Sequence, residues 1–147
     1  MNITKGNLWD SKDQIILVTT NAFVKKDGSL VMGRGAAKEA KEKFPTLPYL
    51  LGDQITKHFK ETKKYGVLII PQMVGAFQVK YNWWEDGDLE LIGYSTQVLN
   101  SMMEVSPFKE VSVSMNFPGI GNGRLRFEDV FEVVKKLNDR VTLYMKE

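Results

Sequence analysis

The sequence predicts an α/β fold, a three-layer α/β/α sandwich around a mixed, largely parallel sheet. Three observations carry that prediction. Apolar, β-branched runs such as Ile15-Ile16-Leu17-Val18 have the composition of strands covered on both faces. Segments with apolar residues three and four apart separate these runs, so strands and helices alternate instead of falling into blocks. Two glycine-bearing stretches, one ending in Gly33 and Gly35 and one spanning Gly119 to Gly123, each follow a strand and precede a helix.

In chain order, Ile15 to Thr20 is the strand expected at the centre of the sheet, because it is apolar or β-branched throughout. Ala36 to Phe44 and roughly Pro48 to Phe59 are expected to be helical. Val67 to Ile70 is a second buried strand, stopped by Pro71. Asp88 to Met103 repeats Leu89, Ile92, Val98 and Leu99 at helical spacing. Val111 to Met115 alternates valine with serine, a strand with one less greasy face. Phe127, Val130, Phe131, Val134 and Leu137 mark a fourth helix, and Thr142 to Met145 closes the sheet. No linker, repeat or low-complexity segment interrupts residues 1–147, which read as one domain. In such a sheet ligands sit at the carboxyl ends of strands, which selects the loops after Thr20, after Ile70 and after Met115.

Composition narrows the chemistry. The 147 residues carry 20 Lys and Arg against 18 Asp and Glu, for a formal charge of +2, with no cysteine and only His58. Thiol chemistry, His/Cys zinc sites and a two-histidine acid–base pair are excluded, and no metal or cofactor site is expected. The charges are interspersed, so the pI of about 8.7 is no strong nucleic-acid signature. No signal peptide or apolar stretch of bilayer-crossing length is visible, and a cytoplasmic address is the default expectation. Oligomeric state leaves no mark on the sequence.

The first loop runs from Asn21 to Gly35 and enters a helix at Ala36. Gly33 and Gly35 permit a tight turn, and the helix start offers free N–H groups to a phosphate, although a simple turn with Ala36 and Ala37 for packing fits as well. The third loop, Asn116 to Leu125, carries Gly119, Gly121 and Gly123 at every second position, with Ile120 and Asn122 between them. That spacing favours a nest of amides for a second phosphate over a plain connector. No G-K-S/T closes either loop, so ATP hydrolysis is not expected. Between them, Lys80 stands among aromatics ahead of a helix with an acidic start, where partial burial would sharpen its amine as a nucleophile. Trp83 and Trp84 are expected to pack against the following helix, since the neighbouring Glu85, Asp86 and Asp88 have the wrong sign for base stacking.

Over nearly its whole length the chain resembles the macrodomains, the ADP-ribose-binding family. The resemblance lies in Lys5-Gly6-Asn7-Leu8, Val18-Thr19-Thr20-Asn21, Val31-Met32-Gly33-Arg34-Gly35-Ala36-Ala37, Phe44-Pro45 and Pro118-Gly119-Ile120-Gly121-Asn122-Gly123. It is similar in particular to the branch of the terminal ADP-ribose protein glycohydrolase and the DNA ADP-ribosyl glycohydrolase antitoxins, and to compact phage and bacterial macrodomain proteins. The resemblance implies a single macrodomain whose ligand is ADP-ribose or an ADP-ribosylated macromolecule. It implies that Lys80, in the setting Phe77, Lys80, Trp83, attacks C1″ of the distal ribose. Asn21 would contact that ribose, while Gly33, Gly35 and the Gly119, Ile120, Gly121, Asn122, Gly123 loop would line the diphosphate, and Phe127 would stack near the adenosine.

Asn7 stands where many macrodomains hold the adenine amino group with an aspartate, and Asp13 is a substitute. The acid of the second glycine loop is missing, Arg124 lies there instead, and Glu128 or Asp129 is the nearest carboxylate for proton transfer. The leading expectation is hydrolysis of an ADP-ribosyl linkage on protein or nucleic acid. Its rivals are a non-catalytic module for ADP-ribose or an NAD metabolite, an ADP-ribose 1″-phosphate phosphatase, and an oligonucleotide or protein interaction domain.

Overall fold

A computed structural model describes residues 1–146 of the chain. Six strands form one sheet: β1 (Asn2–Lys5), β2 (Ile15–Thr20), β3 (Val67–Ile69), β4 (Val74–Gln78), β5 (Val113–Asn116) and β6 (Val141–Met145), in the order β1-β6-β5-β2-β4-β3. Every neighbouring pair is parallel except β3 with β4. The α/β/α sandwich with a mixed, mostly parallel sheet read from the sequence is the architecture observed.

Four helices cover the sheet: α1 (Gly35–Lys43), α2 (Leu47–His58), α3 (Leu89–Met102) and α4 (Phe127–Val134). Alternation along the strands assigns the faces. Ile15 and Leu17 of β2 point into the core shared with Ile92 and Leu99 of α3 and Val130 and Val134 of α4. Ile16 and Val18 point the other way, toward Ala37 and Ala40 of α1 and Leu47, Leu51 and Ile55 of α2. Covered on both faces, β2 has to be apolar throughout.

Two strands were not expected. Asn2–Lys5 is a four-residue edge strand with every residue exposed, and Val74–Gln78 contains Gly75 and Ala76, which weaken a strand signal. Gly75 is required there, since a Cβ would stand 2.0 Å from the Leu68 carbonyl oxygen of β3. The fourth helix ends at Val134, with Leu137 buried in the turn that follows.

The insertion of β4 changes one expectation about the site. Residues Pro71 to Met73 form the tight turn between antiparallel β3 and β4, so the loop after Ile70 lies at the amino end of the parallel strands, away from the loops after Thr20 and Asn116. The third carboxyl-end loop is instead the one after Gln78 of β4, and it carries Lys80. No helix among the described residues is long and apolar enough to cross a membrane.

Candidate functional site

An open cleft of about 1040 Å³ lies across the carboxyl ends of β4, β2, β5 and β6, near the upper limit for small-molecule sites. The chain leaves β2 toward α1 on one face and leaves β5 toward α4 on the other, so the loops part between these strands and open a crevice at the switch point. Asn116 forms part of the floor. Its Oδ1 accepts the Thr19 N–H at 3.0 Å and its Nδ2 donates to the Thr19 hydroxyl at 2.8 Å, tying β5 to β2 where their ladder ends.

The first loop is braced by Asn21, which is 6% exposed. Its Oδ1 accepts the Phe23 N–H at 2.8 Å and its Nδ2 donates to the Val31 carbonyl at 3.1 Å, joining the outgoing and returning legs. The loop delivers Gly33, Arg34 and Gly35 to the cleft and enters α1 at Gly35 with no side-chain cap, so the first helical amides remain available to an anion. Gly35 has φ +55°, and a Cβ there would lie 3.3 Å from the Asn122 amide nitrogen of the opposite loop.

That opposite loop is folded on itself. Its ends are joined by the Leu125 N–H to the Gly119 carbonyl at 2.8 Å, and Gly123 packs so closely that a Cβ would stand 2.5 Å from the same carbonyl oxygen. Among the described residues, the N–H groups of Ile120, Gly121, Asn122 and Gly123 donate no backbone hydrogen bond, and Gly121 faces open space. The two amide-bearing loops face each other over the cleft.

Lys80 stands on the third loop, half-buried, with Nζ donating to the Glu85 carbonyl at 3.0 Å. Burial, followed by the positive charge of Arg34, lowers its pKa below the ordinary value, with Asp86 pulling the other way. Asp88 caps α3 by accepting the Leu91 N–H at 3.1 Å, and the Gly87 N–H donates to the Gly123 carbonyl at 2.7 Å, docking the lysine loop on the second glycine loop. Among the described residues, Lys25, Arg34, Lys80, Arg124 and Lys146 line the cleft against Glu85 and Asp86, an excess of cations.

Asn21, Gly33, Gly35, Lys80, Ile120, Gly121, Asn122 and Gly123 thus share one cleft. Gly119 and Phe127 are not part of its lining. Gly119, at φ +78°, closes the loop beneath it, and Phe127 stacks behind Phe117 with ring centroids 4.8 Å apart, so that Phe117 is the ring facing the cleft. Asp13 precedes β2 at the amino end of the sheet, where it accepts from the Ser114 hydroxyl, and lies away from the cleft. Asn7 caps the 3-10 turn Leu8–Asp10 by accepting the Trp9 N–H at 3.0 Å.

Glu128 and Asp129 sit in the first turn of α4 outside the cleft lining, Glu128 paired with Arg126 at 3.7 Å. Among the described residues, the carboxylates that line the cleft are Glu85 and Asp86, which the sequence alone presents only as charges unsuited to base stacking. Trp83 and Trp84 do not pack under α3. They are 47% and 59% exposed at the cleft, set edge to face with each other, and Trp84 is set likewise against Phe23. The acidic neighbours say nothing about packing, and the turn from Asn82 to Glu85, closed by the Glu85 N–H donating to the Asn82 carbonyl at 3.1 Å, keeps both indoles outside the core.

No protein-family model matches this sequence, and no curated protein matches it. Among solved structures it is similar to the macrodomain of Thermus aquaticus DarG, with TM-score 0.75 and 20% identity over 99% of this chain and 97% of that one. Thermosipho africanus DarTG in complex with ADP-ribose gives 0.74 and 20% over 99% of this chain, which spans 42% of the length of that one. The macrodomain of Mycobacterium tuberculosis DarG gives 0.73 and 21% over 97% and 95%. The chain has the macrodomain fold.

Proposed function

We propose that the cleft binds ADP-ribose and that Lys80 cleaves an ADP-ribosyl linkage on protein or nucleic acid. The observation that carries this reading is the meeting of three things in one cleft: the uncapped start of α1, the unpaired amides of the Ile120 to Gly123 loop, and a half-buried lysine. Two facing sets of N–H donors suit two linked phosphates. The likeness to a DarTG structure that holds ADP-ribose supports the same ligand.

The strand order supports one orientation of the ligand. From β4 to β6 the cleft crosses three strand intervals, roughly 14 Å. With the diphosphate between the glycine loops, the distal ribose lies at the β4 end beside Lys80 and Asn21, and adenine lies toward Phe117 and Tyr144. The loops then hold C1″ in reach of the amine, and much of the rate gain comes from that positioning. A neutral Lys80 amine forms a bond to C1″ as the linkage to the modified group breaks. The C1″–O4″ bond of the ribose then breaks, O4″ taking up the proton that the nitrogen sheds, and the resulting imine is hydrolysed by water to free ADP-ribose and the restored amine.

A binding module without turnover is the second reading. The Lys80 ammonium already has a partner in the Glu85 carbonyl, and the second glycine loop holds no acid. The phosphatase reading has less support, since His58 ends α2 and does not line the cleft. Incubating wild type and Lys80→Ala with ADP-ribosylated protein and ADP-ribosylated DNA decides between them. Release of ADP-ribose that requires Lys80 is expected. Tight binding with no release supports the module, and release unchanged in Lys80→Ala rejects the role of the side chain.

A further inference from the structure

Lys80 occupies a break in the β2–β4 pairing. The Val79 N–H donates to the Thr20 carbonyl at 3.0 Å, and an unbroken parallel ladder would next send the Ala22 N–H to the Val79 carbonyl. The Ala22 N–H goes to Tyr81 instead, at 2.9 Å, and the Val79 carbonyl takes the Asp88 N–H at 2.8 Å. Lys80 therefore rides on a displaced segment, and the ladder does not set its direction.

Gln78 and Tyr65 are buried polar side chains under that break, and neither lines the cleft. Gln78 is 0% exposed. Its Oε1 accepts the N–H groups of Tyr65 at 2.8 Å and Gly66 at 3.1 Å, and its Nε2 donates to the carbonyls of Lys63 at 2.7 Å and Lys80 at 3.4 Å. Tyr65 is 3% exposed. Its hydroxyl donates to the Asn21 carbonyl at 2.7 Å and also meets the Thr20 hydroxyl. Burial pushes this phenol far above its usual range, so it remains a donor at every working pH.

We propose that Tyr65 and Gln78 are positioning residues that fix the backbone beneath Asn21 and Lys80 and so set the reach of the Lys80 amine. The inference rests on the reading of Lys80 as nucleophile. Its physical basis is that polar groups at this depth are costly to leave unpaired, so a network with its hydrogen bonds made has one arrangement and holds it. Removing the Tyr65 hydroxyl leaves the Asn21 carbonyl without that donor, and the slack passes through Ala22 to Tyr81, next to Lys80.

The test needs no glycohydrolase substrate. The open-chain aldehyde of free ADP-ribose condenses with a neutral lysine amine, losing water, and added cyanoborohydride delivers hydride to the resulting C=N bond to leave a stable secondary amine. Mass spectrometry of digests measures the rate at Lys80 across a pH series, and calorimetry measures the Kd for ADP-ribose. In Tyr65→Phe, trapping is expected to slow by about tenfold at every pH, with the pH midpoint unmoved and the Kd within about twofold. Gln78→Met should act in the same direction. If that variant does not fold, Tyr65→Phe decides alone. Trapping at the wild-type rate, or rate and affinity falling in equal proportion, overturns the positioning role. Absence of trapping at Lys80 in the wild-type protein overturns the nucleophile and with it this inference.

Discussion

At the scale of single residues, the protonation of Lys80 is the most consequential property of the cleft. Burial and Arg34 disfavour its charged form, so its pKa lies below the ordinary 10.5. Below the depressed pKa the amine is protonated and inert, and it becomes nucleophilic as pH rises through that value, before the lysines of the unfolded chain do. Between that value and 10.5 the unfolded chain binds the extra proton, so this group makes stability rise with pH there. Amine-reagent labelling mapped by mass spectrometry should find Lys80 half-modified at a lower pH in the folded protein than the lysines of the unfolded chain. A midpoint equal to theirs contradicts the assignment.

The glycines of the first loop separate conformation from contact. Gly35 has φ +55° and faces the Asn122 amide, so Gly35→Ala should lose about 1–2 kcal/mol in urea unfolding and weaken ADP-ribose binding. Gly33 lacks a positive φ and meets nothing within 4 Å, so Gly33→Ala should stay within about 0.5 kcal/mol of wild type in stability. Any loss of ADP-ribose affinity in that variant then reports the ligand directly. Gly35, Gly119 and Gly123 were legible in the sequence because backbone demands leave glycine behind. The cleft acids were not, because a carboxylate at a turn looks the same whether it faces solvent or a ligand.

At the scale of elements, legibility followed burial. The central strand Ile15–Thr20 announced itself because both of its faces are covered, and all four helices showed their apolar stripes. β1 carried no such signal because an exposed edge strand needs no apolar residues. β4 hid for the opposite reason. It is buried so closely against β3 that Gly75 has no room for a side chain, and small residues read as turn rather than strand. Gly75→Ala is expected to cost about 3 kcal/mol, read as a lower urea midpoint, because the obstruction at 2.0 Å is backbone and cannot rotate away. A midpoint within error of wild type would show that β3 shifts freely, which would also leave Tyr65 without a fixed base.

At the scale of the whole molecule, the strand order decides what meets what. Asn21, Lys80 and Gly121 are far apart in sequence, and parallel β4, β2 and β5 carry their loops to one edge. The sequence reading placed two of the three loops at that edge and took the third from the wrong strand, since a chain of strands and helices does not disclose which strand runs backwards. The resemblance points to Phe127 by its place in the chain, and place in the chain does not disclose depth: Phe127 stacks on Phe117, and it is Phe117 that lines the cleft.

The exposed indoles at the cleft have an optical consequence. Two of the three tryptophans, Trp83 and Trp84, stand at the cleft, while Trp9 sits in a separate depression beside Lys43, near the amino end of β2. Filling the cleft should quench or shift the emission of the first two and leave the third as an internal reference, so titration with ADP-ribose ought to be readable from intrinsic fluorescence without any label. The double variant Trp83→Phe, Trp84→Phe should fold and emit from Trp9 alone, and its signal should stay flat as ADP-ribose is added.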